Sequence, residues 1–246
     1  MIKVLVNGAA GKVGSETVKA VKNEKDLQLV GATDVNDDLK ASIASAKPDV
    51  VVDFTHPGVV MANVRKILES RVHAVVGTTG LSGNDLEEIK KLCEKNKVNC
   101  LVAPNFAIGA VLMMMFSRTA AKYMPNVEII ELHHDKKADS PSGTAMKTAE
   151  MILQSEAAKG LVKGKQSEIE NLDGARGGSL GGIHIHSVRL PGFVASQEVI
   201  FGGLGQTLTI RHDTISRESF MPGVIMAIRG IKELNGLVYG LENLLA

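Results

Sequence analysis

The first hundred residues alternate between short runs of β-branched, apolar side chains and longer amphipathic stretches. The runs Ile2 to Val6, Leu27 to Ala32, Asp49 to Phe54, Val72 to Val76 and Val98 to Val102 read as strands. Between them, apolar positions at helical spacing predict helices over about Lys12–Lys22, Val59–Ser70 and Ser82–Asn96, the last with Ser82 as its N-cap. Regular strand–helix alternation predicts an α/β fold, a Rossmann-type doubly wound parallel sheet. Its small, polar and glycine-rich strand ends would converge on one carboxyl edge, where ligands bind.

After Phe106 the rhythm changes. A Met-rich helix from Ile108 to Tyr123 contains Met113-Met114-Met115, read as core filler rather than a metal box. An alternating strand from Val127 to Leu132 follows, then a helix from about Ser142 to Ala158. Lys163 to Leu180 is polar and glycine-rich and reads as a mobile connection. Alternating strands come next, at Ile183–Leu190, Ser196–Phe201 and Gln206–His212, and Met221–Leu234 reads as a final helix.

The first strand runs straight into Asn7-Gly8-Ala9-Ala10-Gly11-Lys12-Val13-Gly14. Glycines at this spacing are a near variant of the dinucleotide fingerprint. They serve a tight turn, close approach of backbone to a pyrophosphate, and a helix N-terminus aimed at the anion. The second strand ends at Asp34, where an acidic residue would hold the ribose hydroxyls of a cofactor. Strand, glycines, helix, strand and acid in this order point to a nicotinamide cofactor. The competing reading is a nucleotide-free α/β turn that merely needs glycines.

Composition narrows the partners. The chain has 246 residues, room for one large or two modest domains, with 44% hydrophobic residues and a net charge of +1. Nothing in that balance points to nucleic acid, a membrane surface or disorder. Aromatic residues are only 3%, with no Trp, which removes stacking platforms for single-stranded nucleic acid. The longest apolar stretch, Ala107 to Phe116, is too short to span a bilayer, and a strand beginning at residue 2 is not a signal peptide. Cys93 and Cys100 are expected to be reduced, largely structural thiols in a cytoplasmic protein.

The densest reactive cluster lies at residues 133–145, His-His-Asp-Lys-Lys-Ala-Asp-Ser-Pro-Ser-Gly-Thr-Ala, where the strand ending at Leu132 gives way to a loop. Histidine titrates near neutral pH, and lysine donates a proton or pairs with a carboxylate, so the cluster suits acid chemistry on an anionic substrate. A solvated polar loop is the plain alternative. His184 and His186 face one side of a strand, but no third ligand of suitable spacing accompanies them, so no metal is expected.

The segment from Glu131 to Ala145 resembles the signature E-x-H-H-x-x-K-x-D-x-P-S-G-T-A of the dihydrodipicolinate reductase family. The resemblance covers the whole chain: the glycine turn, Gly77-Thr78-Thr79-Gly80, Ala103 to Gly109 and Ser216-Arg217 match in order. It implies NADH- or NADPH-dependent reduction of 4-hydroxy-tetrahydrodipicolinate to tetrahydrodipicolinate, in the diaminopimelate route to lysine. The substrate is a small cyclic dicarboxylate. By the same resemblance, Gly8, Ala9, Ala10, Gly11, Lys12 and Val13 wrap the pyrophosphate, and Asp34 holds the adenine ribose. Gly77, Thr78 and Thr79, with Ala103, Pro104, Asn105 and Phe106, lie beside the nicotinamide. His133 matches the acid/base residue and Lys137 the proton donor, whereas His134, Gly143 and Thr144 grip the substrate carboxylates. Lys136, adjacent but outside the motif, is expected to be an exposed and dispensable charge.

The resemblance further implies a dinucleotide-binding domain over 1–104, completed by a C-terminal helix over 217–246. A C-terminal α+β domain with a mixed sheet, over 105–216, would bind substrate and build a homotetramer. NADH is expected to be preferred over NADPH, because Asp34 is followed by Val35 where many members carry an Arg; Lys12 is the only evident compensating cation. Two other readings stay open. Another two-domain oxidoreductase would share the glycine turn but act on a hydroxy or amino acid. A nucleotide sensor would keep the turn without needing His133 and Lys137 together.

Overall fold

The β-branched runs become strands and the amphipathic stretches become helices, in the order β1 (Ile2–Asn7), α1 (Lys12–Asn23), β2 (Leu27–Thr33), α2 (Leu39–Ala46), β3 (Val50–Asp53), α3 (Val60–Glu69), β4 (His73–Val76), α4 (Gly83–Asn96) and β5 (Cys100–Val102). There follow α5 (Ile108–Ala120), β6 (Asn126–His133), α6 (Gly143–Leu153), β7 (Gly178–Leu180), β8 (Ile183–Arg189), β9 (Ala195–Gly203), β10 (Gln206–Thr214), α7 (Met221–Gly230) and β11 (Leu237–Tyr239). This computed structural model describes residues 1–154 and 169–245. They fall into two units, residues 1–108 with the segment from Arg217 onward, and residues 109–216.

The first unit is a six-stranded parallel sheet in the order β11-β5-β4-β3-β1-β2. Its central strands read as continuous apolar runs because both faces are covered: Val4 to Val6, Val50 to Val52 and Ala74 to Val76 are all fully buried. One face packs Leu5, Val51, Val76 and Val102 against Val64, Ile67, Ile89 and Cys93 of α3 and α4. The start of α4 is sharply defined, since Ser82 Oγ accepts from Asp85 N while the Asp85 carboxylate accepts from Ser82 N, a reciprocal capping box. At the far side, Arg229 of α7 bridges Glu24 and Asp26 in the turn between α1 and β2.

The second unit is a five-stranded mixed sheet in the order β10-β9-β6-β8-β7, in which only β6 and β8 run parallel. Strict alternation on β6 buries Val127, Ile129 and Glu131 on one face. Helix α6 lies on that face, where Gln197 Nε2 of β9 donates to Thr148 Oγ1 at 2.8 Å. In α5, Met113 and Met114 are buried, as expected of core filler, whereas Met115 is half-buried.

Several boundaries differ from the sequence reading. Helix α5 ends at Ala120, and Tyr123 closes a turn on Ala120 O. Beyond Gly230 the expected last helix tightens into a 3-10 turn at Ile231–Glu233, and the chain then adds β11 to the edge of the first sheet. Helix α2 was not expected, nor was β7. The connection expected to be mobile is, in its described part, a set of closed turns: Ala175 N bonds Leu172 O and Gly177 N bonds Gly174 O, before β7 pairs with β8. The expected extension of α6 to Ala158 lies outside the described residues, as does the start of that connection.

Candidate active site

At the carboxyl edge of the first sheet, two close approaches of backbone force glycine. Gly8 has φ +83°, and a Cβ there would sit 2.3 Å from Phe54 O; one on Gly14 would sit 2.0 Å from Gly8 O. The chain thus turns directly into α1, whose N-cap Gly11 has no side chain to satisfy the first-turn amides. Those amides and the positive end of the helix form an anion seat. The turn already holds one anion: Asp34, just past β2, accepts from Ala10 N at 2.7 Å and from Val35 N at 2.8 Å. These backbone hydrogen bonds, Val35 first, hold its carboxyl below the usual carboxylate range. Gly8, Ala9, Ala10, Gly11, Lys12, Val13 and Asp34 therefore lie together, with the Lys12 side chain exposed on the first turn of α1.

The adjoining strand ends are tied together by a group that pattern reading missed. Asp53, at the end of β3, has no exposed surface and is met by neutral amide and hydroxyl donors. Its Oδ2 accepts from Asn7 Nδ2 at 2.8 Å and Asn63 Nδ2 at 3.2 Å, and its Oδ1 accepts from Thr55 Oγ1 at 2.8 Å and Thr78 Oγ1 at 2.7 Å. Thr33 Oγ1 donates in turn to Asn7 Oδ1 at 2.9 Å, and Thr55 N donates to Thr78 Oγ1 at 2.7 Å. The carboxylate so links the glycine turn to the Gly77-Thr78-Thr79 loop, where Thr78 is buried and Thr79 exposed. Phe54 fills the space beside it: a Cβ on Gly77 would lie 2.0 Å from the Phe54 ring, which meets Phe106 edge to face at 5.7 Å. Ala103 and Phe106 are buried at the end of β5, with Pro104 exposed and Asn105 Oδ1 accepting from Ala107 N at 2.8 Å.

In the second unit, β6 delivers His133 at its end, and the loop to α6 carries His134 and Lys137. Glu131, two residues before His133 and so on the same strand face, is fully buried. Its carboxylate accepts from His133 Nδ1, from both terminal nitrogens of Arg189 at 2.8 and 2.7 Å, and from Ser142 N at 3.2 Å. Burial pushes this carboxyl up, but the hydrogen bonds from His133, Arg189 and Ser187 outweigh that and hold it down at about 2. Lys137 Nζ pairs with Asp139 Oδ1 at 2.5 Å, and Lys136 is exposed. Ser142 caps α6 by accepting from Ala145 N at 3.2 Å, so Gly143 and Thr144 form the first helical turn. A Cβ on Gly143 would meet nothing within 4 Å. His134 is half-buried at the mouth of the loop, and its carbonyl accepts from Lys137 N at 3.2 Å.

The two histidines of β8 are engaged locally. His184 Nδ1 donates to Arg176 O and His186 Nε2 to Glu128 Oε2, both at 2.8 Å. Among the described residues no group of three or more His, Cys, Asp or Glu is placed to hold a metal ion. Cys93 and Cys100 are both free and buried, and burial pushes the Cys93 thiol up to about 11. No helix among the described residues is long and apolar enough to cross a membrane.

Comparison with known proteins places this geometry. Residues 2–106 match the dihydrodipicolinate reductase N-terminus and residues 109–245 the dihydrodipicolinate reductase C-terminus. The chain belongs to the dihydrodipicolinate reductase family. It is 51% identical to the 4-hydroxy-tetrahydrodipicolinate reductase of Desulfitobacterium hafniense, over 99% of this chain and 98% of that one. It is also 51% identical to that of Listeria innocua, over 99% of this chain and 100% of the relative. Among solved structures it is similar to a dipicolinate-bound dihydrodipicolinate reductase from Paenisporosarcina sp. TG-14, with a TM-score of 0.88, 46% identity and 99% of each chain covered. Members of this family are oxidoreductases, and the parallel first sheet and mixed second sheet agree with the fold expected from the sequence.

The Asp53 network generates a prediction. Asp53→Asn puts an amide donor against donors already facing that oxygen, at a cost of about 1–3 kcal/mol for a buried group left unsatisfied. Urea unfolding should show that loss; an unchanged midpoint would mean the network does not hold the sheet edge together.

Proposed function

We propose that this protein reduces 4-hydroxy-tetrahydrodipicolinate to tetrahydrodipicolinate with a nicotinamide dinucleotide, the step that feeds diaminopimelate and lysine synthesis. The observation that carries the reading is the loop between β6 and α6. There His133, Lys137 and the open first turn of α6 stand together on one motif of a chain belonging to the dihydrodipicolinate reductase family. A helix N-terminus, an ammonium and imidazoles form a seat for a compact dianion.

The first unit fits the cofactor because its glycine turn leads into the first turn of α1, which no side chain caps and whose amides suit a pyrophosphate, and its carboxyl edge places Asp34 beside them. Gly8 to Val13 and Asp34 would hold the phosphates and ribose, and Gly77 to Thr79 with Ala103 to Phe106 would flank the nicotinamide. When bound, the reduced nicotinamide supplies a hydride. The rest of the balance is one proton taken up and one water released, so the protein has to furnish an acid. His133 is that acid. Its Nδ1 is committed to Glu131, so Nε2 is the nitrogen that gives up the proton. Lys137 Nζ, paired here with Asp139, exchanges that partner for a substrate carboxylate and assists protonation. His134, Gly143 and Thr144 grip the carboxylates.

His133→Gln and Lys137→Ala should each lower kcat by roughly two to four orders of magnitude, the usual scale for a lost acid/base group, with cofactor binding retained. Nicotinamide absorbance with substrate made in situ by the preceding synthase measures this, and near-normal rates in both variants would sink the assignment.

The preferred cofactor is NADH. Asp34 repels a 2′-phosphate, Val35 is exposed and offers no charge, and the Asp37 and Asp38 carboxylates add negative charge while capping Asp34 N and the start of α2. The ratio of kcat/KM for the two cofactors should favour NADH; a preference for NADPH would mean that Lys12 outweighs Asp34.

The protein assembles as a homotetramer through its second unit, whose strand β10 runs exposed from Gln206 to Thr209, a face that a second sheet would cover. Light scattering should give the mass of four subunits, and a stable monomer at working concentration would contradict this.

A further inference from the structure

We propose that Glu131 and Arg189 are positioning residues for the reaction, a buried ion pair that fixes which nitrogen of His133 faces the substrate and holds the acid in register with the anion seat of α6. The proposal rests on the reading of His133 as the acid and adds to it two residues that never touch the substrate themselves.

An ionised Glu131 is an acceptor only, so the hydrogen shared with His133 Nδ1 belongs to the imidazole. The neutral ring therefore carries its hydrogen on Nδ1 and presents a bare Nε2. The protonated ring presents Nε2–H, the acid the reaction needs. Without that partner the ring would be free to place its hydrogen on either nitrogen and to turn about its side-chain bonds.

Glu131 is in turn immobilised. Both of its oxygens are taken by the guanidinium fork of Arg189, at 2.8 and 2.7 Å, a geometry that a lysine would not reproduce. The same carboxylate accepts from Ser142 N at 3.2 Å, one residue before Gly143 and Thr144, so the strand bearing His133 and the helix bearing the anion seat share one anchor. Arg189 extends the anchor further. Its second terminal nitrogen donates to Asp139 O at 2.7 Å, and the Asp139 carboxylate holds Lys137 Nζ. One ion pair thereby reaches His133, Lys137 and the first turn of α6, the three parts of the proposed site.

The test replaces both charges at once, Glu131→Leu with Arg189→Met, so that no unpaired charge is left buried. The double variant should fold and bind NADH with KM within about twofold of the parent. Its kcat should fall roughly 10- to 100-fold, the scale for loss of a partner that orients a working imidazole. Nitrogen-15 spectra of His133 supply a readout that packing alone would not move: Nδ1–H in the neutral parent, and a shift toward Nε2–H in the double variant. A folded variant with unchanged kcat and unchanged tautomer overturns the proposal, and so does a lower kcat with the tautomer unchanged. If the variant does not fold, the parent spectrum decides alone, since a neutral His133 carrying its hydrogen on Nε2 is incompatible with the proposed role. A parent that shows Nδ1–H but does not reduce the cyclic dicarboxylate would refute the functional reading and leave the positioning of His133 standing.

Discussion

A carboxylate cut off from water has to be met by donors on every side, and each unit of this protein is organised around one. In the first unit it is Asp53, in the second Glu131, and both have no exposed surface. The two solutions differ in a way that matches what surrounds them. Asp53 is met by neutral amides and hydroxyls that arrive from β1, α3 and the loops after β3 and β4, so satisfying it brings those segments into one arrangement. Glu131 is met by a guanidinium and an imidazole, and the strength of those charge-assisted bonds explains why its carboxyl stays near 2 despite burial. The first group shapes an edge. The second holds the imidazole of His133, the proposed acid.

Most of the scaffold was legible because the periodicities were clean. The valine-rich runs at Val4–Val6, Val50–Val52 and Ala74–Val76 are buried on both faces, and that condition writes an uninterrupted apolar run into the sequence. The alternation on β6 likewise reported one covered face, and Ser82 reported the start of α4. What was missed is short or depends on a neighbour. Strand β7 is Gly-Ser-Leu, with no β preference of its own, and exists because β8 offers it an edge. Strand β11 is three residues long, too short for a period to show, and is stabilised by pairing with β5.

The candidate site divides along the same line. The glycine turn and the His-His-x-x-Lys segment are local in sequence and could be read directly. The partners that hold them are distant: Asn7 and Asp53 are 46 positions apart, and Glu131 and Arg189 are 58 apart. Glu131 was visible inside the motif, and its position two residues before His133 on a strand places both on one face, which was a usable signal. Nothing local marked Arg189, because its role follows from the parallel register that sets it opposite His133 on β6.

Glycines separate what the fold demands from what a ligand demands. At Gly8 and Gly14 a side chain would collide with backbone oxygens of the protein itself, so those glycines are explained without a cofactor, and the uncapped first turn of α1 that follows the turn is a consequence. Gly143 is the opposite case. It lies in the first turn of α6, and a Cβ there would meet nothing of the chain. Its φ is not positive, so the backbone does not call for glycine there. Glycine at that position is required neither by the backbone nor by the packing. The proposed substrate carboxylate, which must approach the amides of that turn closely, supplies the missing reason.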